Sequence, residues 1–286
     1  MIDGDKGDRL EGRLSAFLGD AVKQKVFPGC VLAHGHPARG EVKYLWAGQR
    51  GITRDRLPVH RELVYDLASL TKILATTYLS MMAVGEGRLG LGSELGSVLA
   101  LAGEADRGHG RDPGHGGGPD NWGERAAGLT LPEVAKGLRI GHLMAHRSGL
   151  PAWRPYFLDD GLKDRRRLIE TILNEPRVAK IGEKTLYSDL NFILLGFVLE
   201  AIYQKDLKSL FAEKIAQPLG LTATGYRPDP LKIPVAPTED GPRLGGPLNW
   251  PGAKVLGPVP LGRVHDDNAA FLGGQAGHAG LFGAAP

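Results

Sequence analysis

A single cysteine, Cys30, occurs in the 286 residues, so the chain closes no intramolecular disulfide; in the run Cys30-Val31-Leu32-Ala33 the thiol reads as a small buried hydrophobe. Long apolar runs are missing too. The longest, Phe192 to Leu199, is far too short to cross a bilayer, and the opening MIDGDKGDRLEGRL has no apolar stretch of the signal type. These two absences predict a protein with no membrane span, cytoplasmic unless a signal preceded this sequence and was removed, in which case periplasmic. Charge of one sign is scarce: 35 Lys and Arg against 32 Asp and Glu leave a formal +3. The densest basic cluster, Lys163-Asp164-Arg165-Arg166-Arg167, precedes Leu168, Ile169, Ile172 and Leu173 at helical spacing and reads as a solvated helix face, so no nucleic-acid partner is expected.

Several chemical signatures are also absent. There is no P-loop, no H-E-x-x-H and no G-x-S-x-G, which excludes the usual nucleotide, zincin and alpha/beta-hydrolase sites. Gly85-Glu-Gly87-Arg-Leu-Gly90 matches G-x-G-x-x-G but follows a helical pattern, not a strand, and reads as a helix stop. His265-Asp266-Asp267 with His278 has no spacing that fixes a coordination geometry, and His109 and His115 lie in a polar stretch. No metal and no cofactor is expected.

What is present suffices for a substantial core, with 42% hydrophobic residues. Leu10, Leu14, Phe17, Leu18, Ala21 and Val22 share a face of an opening helix ended by Pro28-Gly29, and Cys30–Gly35 with Glu41–Gly48 reads as a β-hairpin. Helical patterns return at Ile140–His146, Lys163–Leu173, Leu190–Ile202 and Leu207–Ile215. Ahead of them, Gly103 to Gly128 has too few apolar residues to pack and is expected to be an exposed, mobile insertion; after them, Thr222 to Leu261 is Pro- and Gly-rich and reads as a long irregular connection. This order predicts an α+β protein in which a mixed domain is interrupted by a helical one. The expected division is 1–68 with 225–286 as the discontinuous mixed domain and 69–224 as the helical domain. A site is expected in the cleft where they meet.

The chemistry concentrates at Ser69-Leu70-Thr71-Lys72. In DLASLTKILATTYLSMMAVGEG, Leu70, Ile73, Leu74, Thr77 and Met81 recur at helical spacing up to Gly85 and Gly87, so Ser69 falls in a helix's first turn. Exposed N–H groups there favour an oxyanion, and Lys72 projects from the same face one turn on. A serine hydroxyl needs such a neighbour to become a nucleophile. Ser-x-x-Lys alone is common, however, and an ordinary helix serine with a solvated lysine explains it equally well.

Four further elements decide between these readings. His146-Arg-Ser-Gly-Leu150 within LMAHRSGLP, Tyr187-Ser-Asp189 running into LNFILLG, Pro218-Leu-Gly-Leu221, and Gly277-His-Ala-Gly-Leu-Phe282 follow Ser69-Leu-Thr-Lys72 in sequence order. The set resembles the beta-lactamase-related serine hydrolases, which include class C beta-lactamases, D-alanyl-D-alanine carboxypeptidases and esterases of the same fold. The resemblance runs from the first helix to about residue 282. It implies a beta-lactamase/transpeptidase-like fold, an antiparallel sheet with flanking helices and an inserted helical domain. It also implies an acyl-enzyme on Ser69, with half of the oxyanion hole from the Ser69 N–H and with Lys72 and Tyr187 handling the proton as a pair. Trp153 and Tyr156 either line the cleft as substrate-binding residues or pack as aromatics in a Pro-rich loop. His146 is expected to brace a turn.

Two departures from the family pattern follow. The family's Tyr-x-Asn is Tyr187-Ser188-Asp189 here, and an ionised carboxylate accepts hydrogen bonds without donating any. Asp189, as a substrate-binding residue able to pair with Lys72, therefore tilts the expected substrate from beta-lactams and peptides toward carboxylic esters or related acyl compounds; the alternatives are a protonated Asp189, or Ser188 or Asn191 covering the lost donor. The third motif, Lys-Thr-Gly or His-x-Gly, is the second departure. His278-Ala279-Gly280 fits its letters, and His278 is kept as a substrate-binding candidate, but GGQAGHAGLFGAAP looks like the Gly-rich segment preceding that motif. On that reading the final strands and terminal helix are absent, activity is impaired, and the open sheet edge favours homo-oligomers. The alternatives are a beta-lactamase or D-alanyl-D-alanine carboxypeptidase, and a non-catalytic acyl-binding or scaffold protein of the same fold.

Overall fold

A computed structural model describes residues 4–36, 40–52, 56–99, 132–239, 241–245 and 254–285. The expected insertion at Gly103–Gly128 lies outside them. Contacts divide the chain into one unit of Met1–Asp66, Leu221–His265 and Phe282–Pro286 and a second of Leu67–Gly220 and Asp266–Leu281. Residues 266–281, assigned from sequence to the mixed domain, cluster with the helical unit.

In the first unit, α1 (Gly4–Lys23) packs on the expected hairpin. Strands β1 (Gly29–His36) and β2 (Glu41–Gly48) pair antiparallel, from Gly29 opposite Gly48 to His36 opposite Glu41. Gly48 is required at its position, because it has φ +83° and an added Cβ would lie 2.1 Å from the Pro28 carbonyl oxygen. A short strand, β3 (Tyr65–Asp66), and β4 (Gly225–Tyr226) flank a third, Leu281–Gly283, in a three-stranded sheet. Val59, Leu63 and Ala236 are buried beneath Val31 and Tyr65. Within the described residues of the long connection, β4 and the pair β5 (Arg243–Gly245) and β6 (Lys254–Leu256), antiparallel to each other, interrupt an irregular course.

The second unit opens with the helix that carries the Ser-x-x-Lys spacing. It begins near Leu70, widens into a π-helical stretch at Lys72–Thr77 and continues as α2 (Tyr78–Gly85). Gly87, with φ +70°, follows its end, as the reading of this glycine pair as a stop requires. The buried face is not the apolar stripe that predicts the helix. Thr71, Lys72, Ala75, Thr76, Leu79, Ser80 and Ala83 are buried, whereas Leu70, Ile73, Leu74 and Met81 are 52%, 57%, 37% and 59% exposed. The wider π-turn holds a four-residue repeat on the inner face. The polar members of that repeat stay inside because the hydroxyls bond to backbone: Ser80 Oγ donates to the Thr76 carbonyl at 2.7 Å, and Thr76 Oγ1 to Gly277 at 2.6 Å.

After α3 (Ile140–Met144), α4 (Arg165–Leu173) begins at Asp164, whose carboxylate accepts from the Arg167 N–H at 2.8 Å, and buries Leu168, Ile169, Ile172 and Leu173. The central element is α5 (Asp189–Tyr203), buried from Leu190 through Ala201 and so apolar on nearly all sides. It packs against α2, the π-turn, α3 and α6 (Leu207–Phe211). Within it Glu200 is buried and bonds Arg165 at 2.7 Å and the Leu207 N–H at 2.9 Å; burial pushes its carboxyl up to about 7 against the pull of Arg165. The chain returns through α7 (Asp267–Phe271) to a tight approach on α5. A Cβ added at Gly277 would lie 2.0 Å from the Phe192 carbonyl oxygen and 2.9 Å from the Gly196 Cα. Strand β7 (Leu281–Gly283) then pairs antiparallel with β3, Phe282 opposite Asp66. Among the described residues no helix is long and apolar enough to cross a membrane, and no group of His, Cys, Asp or Glu is arranged to hold a metal.

Candidate active site

Ser69 follows a backbone strain point. Ala68 has φ +45°, in the left-handed region that a side chain disfavours, and the helix starts immediately afterwards. The Leu70, Thr71 and Lys72 N–H groups bond back to Leu67, Ala68 and Ser69, while the Ser69 N–H makes no hydrogen bond among the described residues. One turn on, Lys72 is 3% exposed. Its Nζ donates to Ser69 Oγ at 3.0 Å and to the His278 carbonyl at 3.0 Å, and lies 2.7 Å from Asp189 Oδ1. Three oxygens therefore surround one buried ammonium, of which only one is a carboxylate.

Tyr187 and Asp189 reach this point because the chain folds back before α5. The Leu186 N–H donates to the His146 carbonyl at 2.8 Å, the Asp189 N–H to Ala152 at 2.9 Å, and Ser188 Oγ to Pro151 at 2.7 Å. The Tyr187 ring centroid lies 4.9 Å from Lys72 Nζ, close enough for a cation–π contact, and that of Phe192 lies 6.0 Å away. Tyr187 is half exposed, and its hydroxyl makes no hydrogen bond among the described residues.

His146 sits behind this loop with φ +55°. Its ring stacks at 4.7 Å on Tyr187 and 5.1 Å on Phe192, and Nδ1 accepts from the Ser188 N–H at 3.1 Å. Burial and the charge of Lys72 push its pKa down, so the ring is neutral with its proton on Nε2. Asn191 completes the brace: Oδ1 accepts from Ser148 Oγ at 2.6 Å, which turns Nδ2 toward His146 Nδ1 at 3.4 Å.

The opposite wall comes from residues 266–281. Thr71 Oγ1 accepts from the Leu281 N–H at 3.0 Å and the Leu67 N–H donates to the Leu281 carbonyl at 2.9 Å. With the Thr76 and Lys72 bonds, they strap residues 277–281 along the helix. The His278 ring is 1% exposed, and its Nε2–H donates to Asp266 Oδ1 at 2.9 Å. Burial raises the Asp266 carboxyl, but His278, the Ala269 N–H and Lys72 outweigh it and hold the pKa down at about 2.

A buried lysine at hydrogen-bond distance from a helix-start serine, with a Tyr-x-Asp loop beside it, is the arrangement that the collinear motifs imply, and the family pattern named Beta-lactamase matches residues 14–285. The chain belongs to the Beta-lactamase family. It is 30% identical over 235 residues to an Escherichia coli (strain K12) protein named "Putative D-alanyl-D-alanine carboxypeptidase", in a match covering 77% of this chain and 47% of that protein. The chain thus spans about half the length of the curated relatives it matches. Among solved structures, the octameric penicillin-binding protein homologue from Pyrococcus abyssi superposes with a TM-score of 0.64 at 20% identity, covering 96% of this chain and 53% of that one. EstCE1, a hydrolase with promiscuous acyltransferase activity, gives 0.63 at 23% identity, covering 98% and 69%. These two likenesses carry the fold, a beta-lactamase/transpeptidase-like α+β architecture.

Of the residues singled out from the sequence of this Beta-lactamase family member, Ser69, Lys72, Tyr187 and Asp189 converge. His278 joins them through its backbone carbonyl; its ring is buried on Asp266. Tyr156 does not join them, being 5% exposed with its hydroxyl on Glu175 at 3.1 Å, which burial and that carboxylate favour in the protonated form. Trp153 is half-buried, with its ring 6.4 Å from Phe157. His146 braces the loop as the sequence suggests; Asn191, considered from the sequence only as a substitute donor for Asp189, braces His146, and Asp266, considered there only within a metal set, holds the His278 ring. No spacing rule links either one to Ser69.

Proposed function

We propose that this chain is a serine hydrolase that transfers the acyl group of a carboxylic ester or related compound through a covalent intermediate on Ser69. The observation that carries this reading is the 3.0 Å contact between Lys72 Nζ and Ser69 Oγ, made by a lysine that is 3% exposed and cannot be a solvated surface group. In the reaction, Ser69 Oγ forms a bond to the substrate carbonyl carbon and its proton passes to the Lys72–Tyr187 pair. The oxyanion is met by the Ser69 N–H, and the bond to the leaving group breaks as that group takes up the proton. Water then repeats the sequence on the acyl-enzyme. The preference for esters rests on Asp189, which offers Lys72 a charge and offers a substrate carbonyl no donor.

The experiment is intact mass after incubation with a fluorophosphonate probe, followed by peptide mapping. A single adduct on Ser69, absent in Ser69→Ala, is expected; labelling of Ser69→Ala equal to the parent overturns the assignment. No adduct on folded protein favours a non-catalytic acyl-binding chain. The Escherichia coli relative favours a second reading, release of D-alanine from a D-alanyl-D-alanine peptide. A faster turnover of that peptide than of a nitrophenyl ester would select it. Because the Pyrococcus abyssi homologue is octameric, self-association is proposed here too, and light scattering at the monomer mass overturns it.

A further inference from the structure

Of the three oxygens around Lys72, the His278 carbonyl belongs to the Gly277–Phe282 element, but the residue that holds its side chain, Asp266, lies outside every family motif. The chain places a nine-tenths-buried imidazole on this residue, ties it to one carboxylate, Asp266, and leaves His278 Nδ1 buried without a partner among the described residues. A buried nitrogen left unpaired carries a desolvation cost, so the ring is not there for packing alone. Asp266 in turn caps α7 through the Ala269 N–H at 2.7 Å, which fixes where its carboxylate stands. The result is a chain of contacts from a helix cap to the lysine: Asp266 to the His278 ring, the His278 carbonyl to Lys72 Nζ, and Lys72 Nζ to Ser69 Oγ.

We propose that Asp266 and His278 are a positioning pair for Lys72, fixing the carbonyl that aims its Nζ at Ser69 and adding a second negative charge, beyond Asp189, to the field in which that amine works. The charged and titratable groups facing Lys72 from the surrounding elements are Tyr187 before α5 and Asp189 at its start, His146 after α3, and His278 and Asp266 in the returning segment. Asp266 is the one anion among them that no motif points to. Neither residue touches the substrate; both act through Lys72. This inference rests on the reading of Lys72 as part of an acyl-transfer site.

Two substitutions separate its parts, because Asn and Ser both replace Asp well as a helix cap. Asp266→Asn keeps the cap and an oxygen for His278 but removes the charge. Asp266→Ser keeps the cap but is too short to reach the ring. Lys72 reactivity is read by competitive acetylation across pH with peptide mapping, which needs no turnover, and Ser69 reactivity by the fluorophosphonate labelling rate. In Asp266→Asn the midpoint of Lys72 acetylation is expected to move to lower pH, since removing a negative charge favours the neutral amine. In Asp266→Ser labelling of Ser69 is expected to slow about tenfold, the loss typical of removing an outer partner that orients a functional group. A purely structural role lowers thermal stability and moves neither readout. An unmoved acetylation midpoint in Asp266→Asn, or a parental labelling rate in folded Asp266→Ser, overturns the pair. A parent chain that acetylates at Lys72 but is never labelled at Ser69 instead overturns the acyl-transfer reading, and the midpoint shift still reports whether Asp266 acts on Lys72.

Discussion

Lys72 Nζ stands 2.7 Å from Oδ1 of Asp189, with the two side chains only 4% and 16% exposed. That oxygen takes no directed hydrogen bond among the described residues, so charge, more than geometry, holds the contact. Removing either partner leaves the other nearly dry and uncompensated, which costs far more than breaking a surface pair. The same contact separates this chain from the Tyr-x-Asn pattern of its family.

Asp189→Asn therefore tests the substrate preference. An amide restores a donor toward a substrate carbonyl while weakening the hold on Lys72, so kcat/KM on an anilide is expected to rise relative to that on the matching ester. The ratio for the two substrates is the measurement, and an unchanged ratio removes the basis for preferring esters.

Gly277→Ala is expected to be damaging although the position is far from Ser69 in sequence. The new Cβ would stand 2.0 Å from the Phe192 carbonyl, backbone that cannot swing away, so residues 277–281 must lift from α5. A loss of about 1–3 kcal/mol in a denaturant titration is expected from the overpacking, together with slower Ser69 labelling as the His278 carbonyl leaves Lys72.

Tyr156→Phe is expected to leave labelling and ester turnover near the parent while lowering stability by about 1 kcal/mol, because what it loses is a partly buried hydrogen bond to Glu175 at 3.1 Å. A rise in KM without loss of stability would return Tyr156 to the substrate-binding residues.

The pH dependence of stability carries the mark of Glu200. Its carboxyl is pushed from 4.5 up to about 7 by burial, so between these values the folded state holds more protons than the unfolded one and stability falls as pH rises. Asp266 acts oppositely at the acid end: with its carboxyl lowered from 3.8 to about 2, its contribution is present above 3.8 and is lost as pH falls through about 2. Glu200→Gln is expected to flatten the midpoint-against-pH curve between about pH 4.5 and 7 without touching the acid end, as thermal melts across that range would show.

Much of the framework was legible because it is local. The hairpin, the helical pattern of Lys163–Leu173 that folds as Arg165–Leu173, the buried run of α5 and the helix stop at Gly85–Gly87 are short-range patterns that periodicity and turn chemistry expose. The three-residue step from Ser69 to Lys72 belongs with them, since a helical turn brings such residues together whatever surrounds them. The sequence by itself thus determined the elements, the family through its collinear motifs, and the four side chains that meet.

Only tertiary structure decided how they are held. Which face of the Lys72 helix is buried depends on the π-turn and on backbone acceptors at Gly277 and His278, so a stripe of Leu70, Ile73, Leu74 and Met81 stays outside against its own hydrophobicity. Asp266, Asn191 and the His278 carbonyl enter for the same reason. A hydrogen bond between residues two hundred positions apart leaves no period and no spacing in the chain, because its partners are chosen by packing of whole segments and not by neighbours in sequence.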